Sequence, residues 1–302
     1  MSTSYHVAVI GLGAMGMGAA RSCLRAGLTT YGIDLSEQAR SQLQQAGAAA
    51  VMADARPLAE TLDAVLLLVV NAVQVRRILL GDEGLARHLK PGTAIMVSST
   101  IAAEEASALA AELAQLGLLM LDAPVSGGAI KADAGEMTVM AAGADAAFDK
   151  LAPVLDAVAG KLYRVGSEPG QGSTVKIIHQ LLAGVHIAVA AEAMALASKA
   201  GVSLDLMYDV VTHAAGNSWM FENRMPRVLT GDYQARSAVD IFVKDLTLVA
   251  DTAKALRFPL PLASTALNMF LSASNAGHGQ EDDSAVIKTF SGITLPGQEE
   301  RP

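Results

Sequence analysis

"HVAVIGLGAMGMGAARSCLRAG", residues 6–27, decides the fold. The apolar run Val7–Ile10 leads straight into glycines at Gly11, Gly13, Gly16 and Gly18, and a helical pattern starts before those glycines end. Glycine weakens strands and helices alike, so a cluster of it at their junction needs a reason. A G-x-G-x-x-G alone is a weak signal. This one follows a strand, opens a helix and has an acidic residue, Asp34, closing the next strand Thr29–Ile33, which is the context of a dinucleotide fingerprint. Gly11 permits the tight turn, Gly13 lets the backbone approach a pyrophosphate, and Gly16 lets helix and strand pack closely. Leu12, Ala14 and Met15 complete the turn, whose free N–H groups face the phosphates. Asp34 is expected to accept hydrogen bonds from the adenosine ribose. Its charge repels a 2′-phosphate and no Arg follows it in "IDLSEQ", which favours NAD over NADP. The alternatives are a turn that only packs and a flavin site, but no flavin-directed motif accompanies the glycines.

Outward from this stretch, apolar β-rich runs alternate with helical patterns. The runs are Val7–Ile10, Thr29–Ile33, Ala64–Val70, Ala94–Ser98, Leu118–Leu121, Met137–Ala141 and Leu162–Val165. Several are continuously apolar, as strands covered on both faces must be, and the alternation implies a parallel sheet. From about Gly166 the strand signals stop. "PGQGSTVKIIHQLLAGVHIAVAAEAMALASKAG" predicts one helix of about 27 residues, roughly 40 Å long, with Ser173 or Thr174 as N-cap and Gly201 at its C-terminal cap. Further helices are expected over 203–215, 218–229, 237–257, 260–276 and 282–291. The expected architecture is α/β plus all-α: a Rossmann dinucleotide-binding domain over 1–167, the long interdomain helix, and a helical substrate and oligomerisation domain over 168–302.

Composition sets the outer limits. Of 302 residues, 52% are hydrophobic and 17% charged, enough apolar surface for a large core. The longest apolar stretch, Leu181–Ala197, carries His186 and Glu192, and the other runs are too short to span a bilayer. The excess apolarity is therefore assigned to core and to a homodimer or homotetramer interface, not to a membrane. The N-terminus shows no basic segment with a cleavage site, which points to the cytoplasm. A net charge of −8 argues against general nucleic-acid binding. Cys23 is the only cysteine, the histidines do not fall at zincin spacing, and no metal is expected.

Four motifs carry a resemblance. "GLGAMGMGAA", "DAPVSGG" (Asp122–Gly128), "GQGSTVKIIHQ" (Gly170–Gln180) and "FVKDLTLVADTA" (Phe242–Ala253) resemble, in order, those of the β-hydroxyacid dehydrogenases, which include 3-hydroxyisobutyrate, tartronate semialdehyde and 6-phosphogluconate dehydrogenases. "KIIHQLLAGVHIA" and "THAAGNSWMFENRM" resemble more narrowly the branch that oxidises L-threonate. The resemblance implies an NAD-dependent oxidation of a short sugar acid, with Lys176 as general acid/base. Its apolar flank "STVKIIHQLL" is unexpected around a solvated charge, and burial disfavours the protonated form, as a base requires. It further implies that Ser126, Gly127 and Gly128 hold the substrate carboxylate, that Thr100 and Asn71 lie at cofactor-facing strand ends, and that Lys244 contacts the cofactor. Asn217 and Ser218 of "GNSW" would meet substrate hydroxyls, while Trp219 suits either that site or the core. One departure stands out. Where most members carry Asn three or four residues past the lysine, this chain has His179 and Gln180, both able to reach a polyol substrate from the Lys176 face. Activity on 3-hydroxyisobutyrate or tartronate semialdehyde, and an NAD-binding scaffold without chemistry, are the alternatives.

Overall fold

The computed structural model describes residues 4–296. The chain divides into two compact units, between Lys176 and Ile177.

The first unit is built on a nine-stranded sheet. Its strands are β1 (His6–Ile10), β2 (Thr29–Ile33), β3 (Ala50–Met52), β4 (Ala64–Leu67), β5 (Ala94–Val97), β6 (Leu119–Asp122), β7 (Val125–Ser126), β8 (Met137–Ala142) and β9 (Ala159–Gly166). Between them run the helices α1 (Ala14–Arg25), α2 (Glu37–Gln45), α3 (Ala72–Leu80), α4 (Ala103–Gln115), α5 (Gly128–Ala134) and α6 (Asp145–Val158). The parallel core follows the order β3-β2-β1-β4-β5-β6, which reverses direction beside β1. In such sheets that reversal opens a crevice at the carboxyl ends of the strands. Alternate residues explain the unbroken apolar runs. Val7, Val9, Leu66 and Met96 enter one core, and Ala8, Ile10, Val65, Leu67, Ile95 and Val97 the other, on opposite faces.

The sheet is not parallel throughout, in contrast to the sequence expectation. Strand β8 runs antiparallel to both β6 and β7, and β9 then pairs parallel to β8. The segment 127–136 between β7 and β8 holds only the short α5, less than the dozen or so residues a parallel crossover needs.

The second unit is helical: the greater part of α7 (Gln171–Lys199), then α8 (Leu204–Thr212), α9 (Trp219–Thr230), α10 (Val239–Ala255) and α11 (Pro261–Ala273). Ile187, Met194, Phe221, Met225, Phe242, Leu246 and Phe270 form its core. The helix expected over 282–291 is instead a 3-10 segment, Asp283–Thr289. Its buried Asp282 and Asp283 bind Arg227 and Arg224, so these carboxylates serve tertiary pairing.

Helix α7 ends at Lys199 in the expected way. Gly201, at φ +75°, donates to the Ser198 carbonyl while Val202 donates to that of Ala197. Its start differs. The helix begins at Gln171, ahead of Ser173 and Thr174, because a remote carboxylate caps it. Asp122, at the end of β6, accepts from the Gly170 and Ser173 amides, each at 2.8 Å, and from Ser173 Oγ at 2.7 Å. This attachment makes the first turn of α7 part of the first unit. Among the described residues, α7 is the one helix long and apolar enough to cross a membrane by length and composition, and half of its most apolar window is buried.

Candidate active site

The glycine turn has the shape its sequence predicts. Gly11 sits at φ +90°, and a Cβ on Gly16 would lie 1.7 Å from the Gly11 carbonyl oxygen, so only glycine lets α1 start so close to β1. At Gly13 a Cβ would meet nothing within 4 Å, which leaves the backbone open to a ligand. A hollow of about 340 Å³ opens along Leu12, Gly13 and Ala14. Asp34 ties this turn down. Its Oδ2 accepts from the Leu12 amide at 2.6 Å and its Oδ1 from the Ser36 amide at 2.7 Å. Each carboxylate oxygen keeps a second lone pair, so ribose hydroxyls can still bind. The bare backbone, the open space and the anchored carboxylate together fit a dinucleotide.

An arginine does lie close, despite its absence from "IDLSEQ". Arg40 folds back to donate to the carbonyls of Asp34 and Leu35, at 2.7 and 3.0 Å. Removing the carboxylate would leave this guanidinium as the dominant local charge. Asp34→Ala is thus expected to raise KM for NAD about 10- to 100-fold, on the usual worth of charge-assisted hydrogen bonds, and to admit NADP. Steady-state kinetics with both coenzymes checks this; an unchanged preference assigns the choice to another residue.

The other expected residues of the first unit lie at carboxyl ends of strands. Thr100 is partly exposed just beyond β5, next to Ser99, whose buried hydroxyl has no hydrogen-bond partner in the fold. Asn71 follows β4, but its side chain caps α3 by accepting from the Gln74 amide at 2.9 Å. Its Nδ2 donors and its backbone are what this cap leaves to face a cofactor. Ser126 ends β7 half-buried, and the next two residues, Gly127 and Gly128, take φ +133° and +70°. Those angles expose successive backbone amides in a turn that L-residues resist, and nothing crowds Gly128 within 4 Å.

Lys176 is only 6% exposed and lies one helical turn beyond the Asp122 anchor. Burial pushes the Asp122 carboxyl up, against the pull of the Ser173 and Gly170 donors. Asp122 belongs to the "DAPVSGG" motif, but a pattern of neighbours in sequence could not reveal that it holds the lysine's helix.

In the second unit three of the expected residues form one hydrogen-bonded chain. His179 Nδ1 lies 3.0 Å from Gln180 Oε1; Gln180 Nε2 donates to Asp245 Oδ2 at 2.5 Å; Lys244 Nζ donates to Asp245 Oδ1 at 2.5 Å. Asp245, 2% exposed, was not among the sequence candidates, although it directly follows Lys244 in "FVKDLT". An acidic residue on the apolar face of a helix was the signal available.

"GNSW" departs from expectation. The Ser218 hydroxyl caps α9 by accepting from the Phe221 amide at 3.1 Å, and Asn217 Nδ2 donates to Glu222 at 2.5 Å. Both side chains therefore shape the turn, and Asn217 Oδ1 alone is left buried without a partner. Trp219 is 51% exposed, which removes the core reading. With Tyr208, Thr212, Glu222 and Asn223 it lines a hollow of about 340 Å³. Among the described residues no group of three or more His, Cys, Asp or Glu could hold a metal ion.

Comparison with known proteins agrees with this geometry. The NAD-binding domain family of 6-phosphogluconate dehydrogenase matches residues 6–166. The NAD-binding family of NADP-dependent 3-hydroxyisobutyrate dehydrogenase matches residues 170–290. The chain is 71% identical over 295 residues to L-threonate dehydrogenase of Escherichia coli O6:H1, covering 98% of both chains. It is 67% identical to L-threonate dehydrogenase of Pectobacterium atrosepticum, covering 100% of this chain and 99% of that one. A crystal structure of 3-hydroxyisobutyrate dehydrogenase from Salmonella typhimurium is similar at TM-score 0.92 and 69% identity, covering 95% of this chain and 100% of that one.

Proposed function

The chain belongs to the 3-hydroxyisobutyrate dehydrogenase-related family of β-hydroxyacid dehydrogenases, and from that premise we propose that it oxidises L-threonate at C2 to the 2-oxo acid. It is an NAD-dependent dehydrogenase acting on a CH–OH group. The observation that carries the substrate is the 71% identity, over 98% of both chains, with an L-threonate dehydrogenase.

NAD, when bound, supplies the hydride acceptor. The residues of the chain divide the remaining work. The turn from Gly11 to Gly16 holds the pyrophosphate and Asp34 the ribose, while Asn71, Thr100 and Lys244 serve the cofactor further along. Ser126 and the amides of Gly127 and Gly128 receive the substrate carboxylate, a strong acceptor suited to short charge-assisted hydrogen bonds. His179, Gln180, Asn217 and Ser218 serve its hydroxyls, the last two chiefly by fixing the turn before α9. Lys176, neutral when the alcohol arrives, takes the proton of the C2 hydroxyl as the C2–H bond breaks, and returns it in the reverse direction. Oxidation at C2 leaves no β-keto acid, so no decarboxylation accompanies it.

The test is NADH formation with purified protein and a panel of C3 to C6 hydroxy acids. L-threonate should give the highest kcat/KM. A higher value for 3-hydroxyisobutyrate supports the second reading, in line with the similarity to the 3-hydroxyisobutyrate dehydrogenase of Salmonella typhimurium. No turnover of any member leaves a dinucleotide-binding scaffold.

The active species in this reading is a homodimer or homotetramer in the cytoplasm. In support, Ile178, Leu182, Val189 and Leu196 are 53–68% exposed along α7, mostly at heptad spacing. The double substitution Leu182→Glu with Leu196→Glu should lower the sedimenting mass to a single chain. A wild type that already sediments as one chain refutes the assembly.

A further inference from the structure

A lysine from α5 covers one side of the turn assigned to the substrate carboxylate. Gly127 sits at φ +133°, and a Cβ there would lie 2.7 Å from Lys131 Cβ, 2.9 Å from its Cδ and 3.2 Å from its Cγ. The aliphatic stem of Lys131 is thus laid back over the Gly127 α-carbon, in the direction long helical side chains tilt, toward the start of their own helix. Its ammonium, two bonds beyond Cδ, is thereby placed beside the turn. Nothing lies within 4 Å of a Cβ on Gly128, so one flank of the turn is covered by the lysine and the other is clear. Arg21 and Arg25 also reach α5, but both are committed. Arg21 pairs with Asp133, and Arg25 donates to the Asp133 carbonyl. The Lys131 ammonium makes no hydrogen bond or ion pair among the described residues.

A carboxylate substrate brings a full negative charge to a chain whose net charge is already −8. The donors of the turn are a hydroxyl and backbone N–H groups, all neutral. Lys176 is itself neutral when it takes the alcohol proton, so it cannot balance that charge. Lys244 is paired with Asp245. We propose that Lys131 supplies the missing charge: its ammonium pairs with the substrate carboxylate over the Ser126–Gly128 turn and selects free acids over their neutral amides. This rests on the hydroxy-acid dehydrogenase reading given above and adds to it the cation that reading lacks. The carboxylate keeps its charge throughout the reaction. The ion pair is therefore equally strong in the ground and transition states, and it acts on KM with little effect on kcat.

Lys131→Met tests this, because it keeps a stem over Gly127 and removes only the charge. At saturating NAD it should raise KM for L-threonate about 10-fold, with kcat and the affinity for NAD nearly unchanged. Lys131→Arg, which restores the charge, should recover most of that loss. L-threonamide isolates the contact. The wild type should prefer L-threonate over the amide in kcat/KM, and Lys131→Met should shrink that preference about 10-fold. Lys131 is exposed, so added salt should raise KM for the acid in the wild type and much less in the variant. An unchanged KM in Lys131→Met, an equal loss with acid and amide, or a loss of NAD affinity in place of acid affinity overturns the proposal. Failure of L-threonate alone, with another hydroxy acid active, refutes the substrate reading, and the same comparison is then made with that acid and its amide. Should no acid be turned over, the dehydrogenase reading fails. Calorimetric binding of L-threonate to the NAD-bound wild type and Lys131→Met then decides: weaker binding in the variant supports the pair, and equal or absent binding in both refutes it.

Discussion

Lys176→Ala is expected to lower kcat by about 10²- to 10⁴-fold, the usual share of a general acid–base group, while NAD binding persists. The size follows from where the amine is held. Lys176 is 6% exposed, in a turn fixed three residues earlier by the contact of the Ser173 amide with Asp122. Few water molecules can reach the nitrogen to replace it as proton acceptor. Lys176→Arg sharpens the test, because a guanidinium keeps its charge and cannot accept the hydroxyl proton at all. It should be as inactive as the alanine variant despite conserving the positive charge. Single-turnover NADH formation, with coenzyme affinity measured separately by quenching of protein fluorescence, checks both variants. Unchanged turnover in Lys176→Ala would remove the lysine from the chemistry.

The second large effect concerns stability. Asp122→Ala is expected to reduce the unfolding free energy by about 3–5 kcal/mol, because three buried donors lose their acceptor at once. Those donors are the Gly170 and Ser173 amides and Ser173 Oγ, all within 2.8 Å of the carboxylate. Urea unfolding at neutral pH measures the loss, and a midpoint equal to that of the wild type would mean that α7 starts without this cap. The same carboxyl makes stability depend on pH. Burial raises it above the ordinary 3.8, so between 3.8 and its folded-state value the native protein holds a proton that the unfolded chain has released. Stability from this group therefore falls as pH rises through that window, and is fully restored below 3.8. Asp122→Asn, which cannot ionise, should flatten that part of the curve.

Much of the first unit was legible because its signals are local. The order of strand, glycine turn and helix depends on residues within a few positions of one another, and so do the apolar runs and the Gly201 cap. The strands β3 and β7 escaped notice for the same reason: at three and two residues they are too short to show a period. The segment 283–289 read as a helix because its residues suit one. Pairing of Asp282 and Asp283 with Arg227 and Arg224, more than 50 positions away, accompanies a 3-10 form instead. The capping roles of Asn71 and Ser218 were not legible either, because polar residues at element ends suit binding and capping equally well.

By itself, then, the order of residues determined the Rossmann half, the helical half, the anchoring glycines and the lysine on its long helix. Each of these is a matter of backbone preference and of apolar spacing over one or two turns. Tertiary structure alone decided what orients those groups: Asp122 reaches Ser173 across 51 positions and Asp245 reaches Gln180 across 65. No spacing rule extends that far, because a buried carboxylate is matched to its donors only when packing has excluded water from both.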